Sequence, residues 1–185
     1  MKIVIIGYTG FIGSNIFKYL KNKSNYDFIL VSTKEIDLIK KESVKKLSKC
    51  ITNDCIVIMC AGIKKQLGDN LDVYDGNNAI INNFCRSVVL SSPKKVIFFS
   101  SASVYGEDVA YVEKITEKTP VKPKSFYGVS KFTSELLLER ICKDNNIQLV
   151  ILRPPLIYGK DDFSRGYGPT GFIYARSEER RVGKE

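Results

Sequence analysis

Lys2-Ile3-Val4-Ile5-Ile6-Gly7-Tyr8-Thr9-Gly10-Phe11-Ile12-Gly13 is the stretch on which the fold turns. Its first five residues form an apolar, β-branched run, the composition of a buried strand. Three glycines follow, and an amphipathic helix is expected over Phe11 to Leu20. Gly7 permits a tight turn, Gly10 lets a pyrophosphate approach the backbone, and Gly13 lets the helix pack closely on the strand. The helix start presents unbonded N–H groups and a positive dipole end to phosphates. Glycines at such spacing also serve ordinary turns. Their place between a strand and a helix points to a dinucleotide site, completed by Thr9, Phe11 and Ile12.

Strands and helices alternate outward from this unit. Further strands are predicted over Asp27 to Ser32, Cys55 to Cys60, Lys95 to Ser100 and Ile147 to Leu152. Helices are predicted over Lys41 to Leu47, Leu71 to Leu90 and Ser125 to Cys142. Continuous apolar strands separated by helices give a doubly wound α/β fold, a parallel sheet covered on both faces. Gly106 to Lys124, with Pro120 and Pro123, reads as a long polar connection of functional type. The last ten residues, Arg176 to Glu185, match the in-frame translation of a common short-read sequencing adapter and are set aside as foreign. The expected organisation is therefore a dinucleotide domain over 1–160, the start of a substrate-binding region over 161–175, and a non-native tail over 176–185.

Composition removes several function classes. The chain has no histidine, so Ser/His/Asp and Cys/His catalysis and histidine proton shuttles are out. Its five cysteines, Cys50, Cys55, Cys60, Cys85 and Cys142, show no metal-ligand spacing and read as reduced thiols; no metal is expected. No apolar run approaches the ~18–20 residues of a membrane span, and the short opening strand is no signal peptide. A cytoplasmic protein without membrane contact is expected. The net charge of +9 comes from scattered lysines without interleaved aromatics. That pattern suits solvated helix faces rather than nucleic-acid binding, while a positive field favours phosphate-bearing ligands.

Three further segments carry chemistry. The second strand ends in Ser32-Thr33-Lys34, where NAD-binding chains usually place a carboxylate for the ribose 2′-OH. Two hydroxyls and an ammonium favour a 2′-phosphate, hence NADP over NAD, although an ordinary polar turn reads the same. Tyr127-Gly128-Val129-Ser130-Lys131 puts a phenol and an ammonium four residues apart on one helical face. A tyrosine of ordinary pKa, near 10, is a poor base until a neighbouring cation stabilises its phenolate. Finally, an apolar strand ends in Ser100-Ser101-Ala102-Ser103-Val104-Tyr105-Gly106, at the carboxyl edge where open α/β sheets bind ligands. A serine there can donate to a substrate oxygen as charge develops.

In order and spacing these segments resemble the extended short-chain dehydrogenase/reductases, in their NAD(P)-dependent sugar epimerase/dehydratase group, over Met1 to Ala175. The resemblance implies a Rossmann-type domain with Ser101, Tyr127 and Lys131 as catalytic residues, and Ser101 and Ser103 against the substrate. It further implies cofactor contacts from Asp37 and Leu38 at the adenine, from the strand end Cys60-Ala61-Gly62, and from Asn78 and Ser100. Glu117, Pro120 and Pro123 match the loop before the tyrosine. Arg153-Pro154-Pro155-Leu156-Ile157-Tyr158-Gly159 matches the turn beside the nicotinamide, with Pro154 and Leu156 as contacts. Dehydratases of the group carry acids before the Val-Tyr-Gly step; Ser101-Ala102-Ser103 has none. Epimerase and 4-keto reductase on a nucleotide-activated sugar both remain open. The rival is a non-enzymatic dinucleotide sensor, a class that typically loses the Tyr/Lys pair kept here. The group often forms homodimers, and holds its sugar largely in a smaller C-terminal domain. By that comparison this chain binds dinucleotide without turning over.

Overall fold

The computed structural model describes residues 1–23, 25–106, 114–160, 162, 169, 171–173 and 175–176. Much of the predicted polar connection (107–113), most of the segment 161–175 and nearly all of the tail lie outside those residues. Two compact units are present, Met1–Pro154 and Pro155–Glu185.

In the first unit, β1 (Lys2–Ile6), β2 (Asp27–Val31), β3 (Ile56–Met59), β4 (Lys95–Phe99) and β5 (Gln148–Leu152) alternate with α1 (Phe11–Lys23), α2 (Ser43–Cys50), α3 (Leu71–Ser91) and α4 (Phe126–Asp144). Single 3-10 turns at Lys65–Leu67 and Ala102–Tyr105 complete the order. The five strands are parallel in the order β2-β1-β3-β4-β5. The chain leaves β1 for β2 on one side and then crosses back to β3 on the other. The switch point, where such sheets bind ligands, therefore lies between β1 and β3.

Alternation along each strand builds two cores. Val4, Ile6, Val31, Val57, Met59, Val96 and Phe98 face α2, α3 and α4, against Leu47, Phe84, Val88 and Leu138. On the opposite face Ile3, Ile5 and Ile58 pack with Ile16, Phe17 and Leu20 of α1. Each such side chain, fully buried, contributes about 1.5–3 kcal/mol. The predicted cysteines split accordingly: Cys55, Cys85 and Cys142 are buried, Cys50 and Cys60 half-buried. On β5, Val150 and Leu152 stay more than one-third exposed, beyond the reach of α1.

Local chemistry sets the helix ends. The Asn70 side chain accepts from the Val73 N–H (3.1 Å), and the Ser125 hydroxyl from the Gly128 N–H (3.1 Å), satisfying donors that a helix start leaves open. α3 stops at Ser92, which turns left-handed (φ 44°) just before Pro93.

Candidate dinucleotide and catalytic site

The glycine loop lies at the switch point. Gly7 has φ +86°, and a Cβ there would lie 2.8 Å from the Ala61 nitrogen at the end of β3. Its N–H donates to Val31 O (2.8 Å), which ties the turn to β2. A Cβ on Gly13 would fall within 2.9 Å of the Gly7 carbonyl carbon and of Tyr8 Cα, so α1 starts flush against the turn. Gly13 is buried, Phe11 and Ile12 are half-buried, and Thr9 and Gly10 are exposed. The first turn of α1 carries no acidic side chain, leaving its positive end for an anion.

At the tip of β2 the three polar residues are unequally exposed. Ser32 is 5% exposed, and its N–H donates to the Glu35 carboxylate (2.9 Å), as does its hydroxyl. The Ser32 hydroxyl bond, with the backbone bond, holds the Glu35 carboxyl below the usual range. A carboxylate thus folds back onto the strand end, while Thr33 and Lys34 stay exposed. The pattern that could have shown this is Ser-x-x-Glu, a capping-box spacing. Asp37 is half-buried and accepts from the Ile39 N–H (3.1 Å). The Leu38 side chain joins the core, and its carbonyl accepts from the Asn83 amide (2.8 Å).

At the end of β3, Cys60 is half-buried and its N–H donates to Ile6 O (2.9 Å). The next clamp comes from Asn77, the neighbour of the asparagine that the resemblance implies. The Asn77 carbonyl oxygen accepts from the Ile63 N–H (2.8 Å), and its amide donates to Ile63 O (3.1 Å). Two adjacent asparagines leave the helical register undecided in sequence. Asn78 instead places a buried Oδ1 with no hydrogen-bond partner among the described residues. Gly62 is exposed, and a Cβ on it would lie 3.3 Å from Asn77 Oδ1 and 3.4 Å from Lys131 Nζ. Ala61, beside it, is half-buried.

Lys131 is the focus of the site. It is 7% exposed, donates to Phe99 O (3.0 Å), and lies 5.7 Å from the Tyr127 ring centroid and 5.0 Å from that of Phe98. Burial pulls its ammonium down to about 8, opposed by the neighbouring Cys60 and Glu135. Tyr127 is half-buried, and its N–H donates to Asp69 Oδ1 (3.1 Å). A Cβ on Gly128 would sit 2.7 Å from Ser103 O, so the start of α4 lies directly on the serine turn. There the Ser101 hydroxyl accepts from the Ser103 N–H (3.1 Å) and donates to the Ser103 hydroxyl (3.1 Å).

Ser100 is committed elsewhere. Its hydroxyl donates to Glu135, a carboxylate 1% exposed that the sequence reading did not single out. Arg153 Nη2 and Nε also donate to Glu135 (2.6 and 3.0 Å), and Arg153 Nη1 to the Tyr105 hydroxyl (2.9 Å). These bonds push the guanidinium above its ordinary value. Pro154 O accepts from the Ala102 N–H (2.9 Å), joining the end of β5 to the serine turn. Leu156 belongs to the second unit and is 47% exposed.

The exposed glycine loop, the acid-free helix start and the unpartnered Asn78 oxygen suit a dinucleotide. Lys131 and the three serines are gathered at the same carboxyl edge. Among curated proteins, UDP-glucose 4-epimerase of Vibrio cholerae is 28% identical over 175 residues, covering 85% of this chain and 52% of the relative. The chain spans about half the length of the curated relatives it matches. Among solved structures, UDP-glucose 4-epimerase of Thermus thermophilus, in complex with NAD, superposes with a TM-score of 0.80. It is 23% identical, with 95% of this chain and 61% of that chain covered. A dTDP-4-dehydrorhamnose reductase from Clostridium acetobutylicum superposes with a TM-score of 0.76, at 25% identity, over 96% of this chain and 60% of that one. The parallel sheet and its helices form a Rossmann-type fold like theirs. Residues 3–180 fit the family model itself, and the chain belongs to the NAD dependent epimerase/dehydratase family.

Proposed function

We propose that this chain is the cofactor-binding portion of an enzyme that epimerises, or reduces at a 4-keto group, a nucleotide-activated sugar. The observation that carries the reading is the Lys131 ammonium, buried where β3 and β4 end and 5.7 Å from the Tyr127 ring centroid. A cation in so dry a place costs free energy, and pairing with a phenol and a cofactor ribose gives it work there. The chemistry a bound nicotinamide would supply is hydride transfer, reversible within one turnover for an epimerisation and net donation for a reduction. Tyr127 moves the substrate hydroxyl proton at its phenolic oxygen, Ser101 holds the substrate oxygen, and Ser103 supports Ser101. Lys131 stabilises the phenolate and holds the ribose. The turn Gly7–Gly13 and the start of α1 hold the pyrophosphate, and Asp37, Ala61 and Asn78 flank the nucleoside groups.

In a protein of its relatives' length that carries this domain, Tyr127→Phe is expected to lower turnover at least ~100-fold, the scale of a lost acid/base. Dinucleotide affinity should change less than about two-fold. Undiminished turnover would remove Tyr127 from the mechanism. At the tip of β2, Lys34 favours a 2′-phosphate and Glu35 a ribose hydroxyl. The expected balance is NADPH binding a few-fold tighter than NADH in parallel fluorescence titrations. Tighter NADH binding would assign that strand end to Glu35.

A further inference from the structure

Glu135 is eight residues beyond Tyr127 and four beyond Lys131, so the three share one face of α4. It is 1% exposed, deep in a helix otherwise packed with Leu138 and Cys142. A buried ion pair is a weak source of stability, because desolvation offsets most of its attraction. An apolar pair would fill the same space. What the carboxylate adds is connection and charge. It accepts from the Ser100 hydroxyl, next in sequence to Ser101, and from Arg153 at the end of β5.

We infer that Glu135 is a positioning residue of the proposed centre, fixing the strand end that bears Ser101 and holding Lys131 in its charged form. The inference rests on the function proposed above. Lys131 is faced by Cys60 from β3, by the Phe99 carbonyl and Phe98 ring from β4, and by Tyr127 and Glu135 from its own helix. Arg153 and Tyr105 stand behind Glu135. The Cys60 thiol is itself pushed up to about 12 by burial, so it is neutral near pH 8. Glu135 is then the negative charge that opposes the burial of the ammonium. Without it Lys131 loses its proton near neutrality and holds neither ribose nor phenolate.

The test is the titration midpoint of Lys131, read from its ¹³Cε resonance and assigned by comparison with Lys131→Met. Wild type should titrate near 8. Glu135→Gln keeps the shape and the acceptor for Ser100 but removes the charge, and should lower the midpoint by about one pH unit. At pH 7.5 the charged fraction would fall from roughly three-quarters to roughly one-quarter. NADPH affinity would then drop about three-fold at pH 7.5 and recover by pH 6, a recovery that a purely structural defect would not show. Should Glu135→Gln fail to fold, the neutral pair Glu135→Gln/Arg153→Gln is expected to lower the midpoint too, by less than the single variant, because the Arg153 charge behind Glu135 is removed with it. An unchanged midpoint in the folded variant overturns the inference. A lowered midpoint with no dinucleotide binding by wild type at any pH would instead overturn the proposed function and leave the Glu135–Lys131 coupling standing.

Discussion

Gly13→Ala is expected to abolish dinucleotide binding and to lower the melting midpoint by roughly 6–12 °C, the change for about 3 kcal/mol in a domain of this size. The added methyl would run into the Gly7–Tyr8 peptide group, at the Gly7 oxygen, the Gly7 carbonyl carbon and Tyr8 Cα. No flexible side chain is there to swing aside. Either α1 lifts away from β1 or the turn at Gly7 opens. Lifting α1 uncovers Ile3 and Ile5, which pack beneath Ile16 and Phe17. Opening the turn breaks the bond from the Gly7 N–H to Val31 O. Both routes move the N–H groups of the helix start away from the phosphates. Thermal melts and an NADPH titration check the result; a variant melting within about 2 °C of wild type and binding as before would refute the close packing of the loop.

The second large effect is expected at Arg153→Met. The guanidinium side chain is 22% exposed, but the Glu135 side chain it neutralises is 1% exposed. Removing the cation leaves a carboxylate in the core with, among the described residues, only the Ser100 hydroxyl donating to it, which costs about 3–5 kcal/mol. Partial solvation of the guanidinium places the expectation near the lower end. Removing both partners, as Glu135→Leu/Arg153→Met, should recover most of the loss, because the carboxylate is no longer stranded and Lys131 sheds its proton rather than staying an unpaired buried cation. Urea midpoints of the single and double variants measure the difference. A loss below about 1 kcal/mol in the single variant would mean that water reaches Glu135.

Every strand and helix that composition announces is present, because β-branched runs and apolar helical stripes are punctuated by glycine, proline and capping residues. The first helix simply runs on from the expected Leu20 to Lys23, and the fourth to Asp144. The strand order was not legible. Parallel pairing follows from the alternation, but which neighbour each strand takes depends on tertiary packing. Within the site, the glycine loop, the serine turn and the Tyr/Lys pair carry local spacing that can be read directly. Glu35 carries it too, in Ser-x-x-Glu, but Asn77 and Glu135 do not. Both act through partners distant in sequence, and as isolated letters they read as ordinary solvated side chains. For Glu135 a faint signal existed: a carboxylate one turn beyond Lys131 and one turn before the apolar Leu138, on the face that carries Tyr127.

The interior place of β1 in the sheet has a further consequence, for the order of events at the ribosome. β1 is made before either of the two strands that flank it, with Ile5 opposite both Leu30 and Ile58. Its first neighbour follows after one helix, but the second is not complete until Met59. At ~5–20 residues per second, roughly 3–11 seconds of synthesis separate the two ends of that pairing. During that interval an apolar interior strand presents an unpaired edge, so the nascent domain is exposed to aggregation well before α4 brings Lys131 to the site.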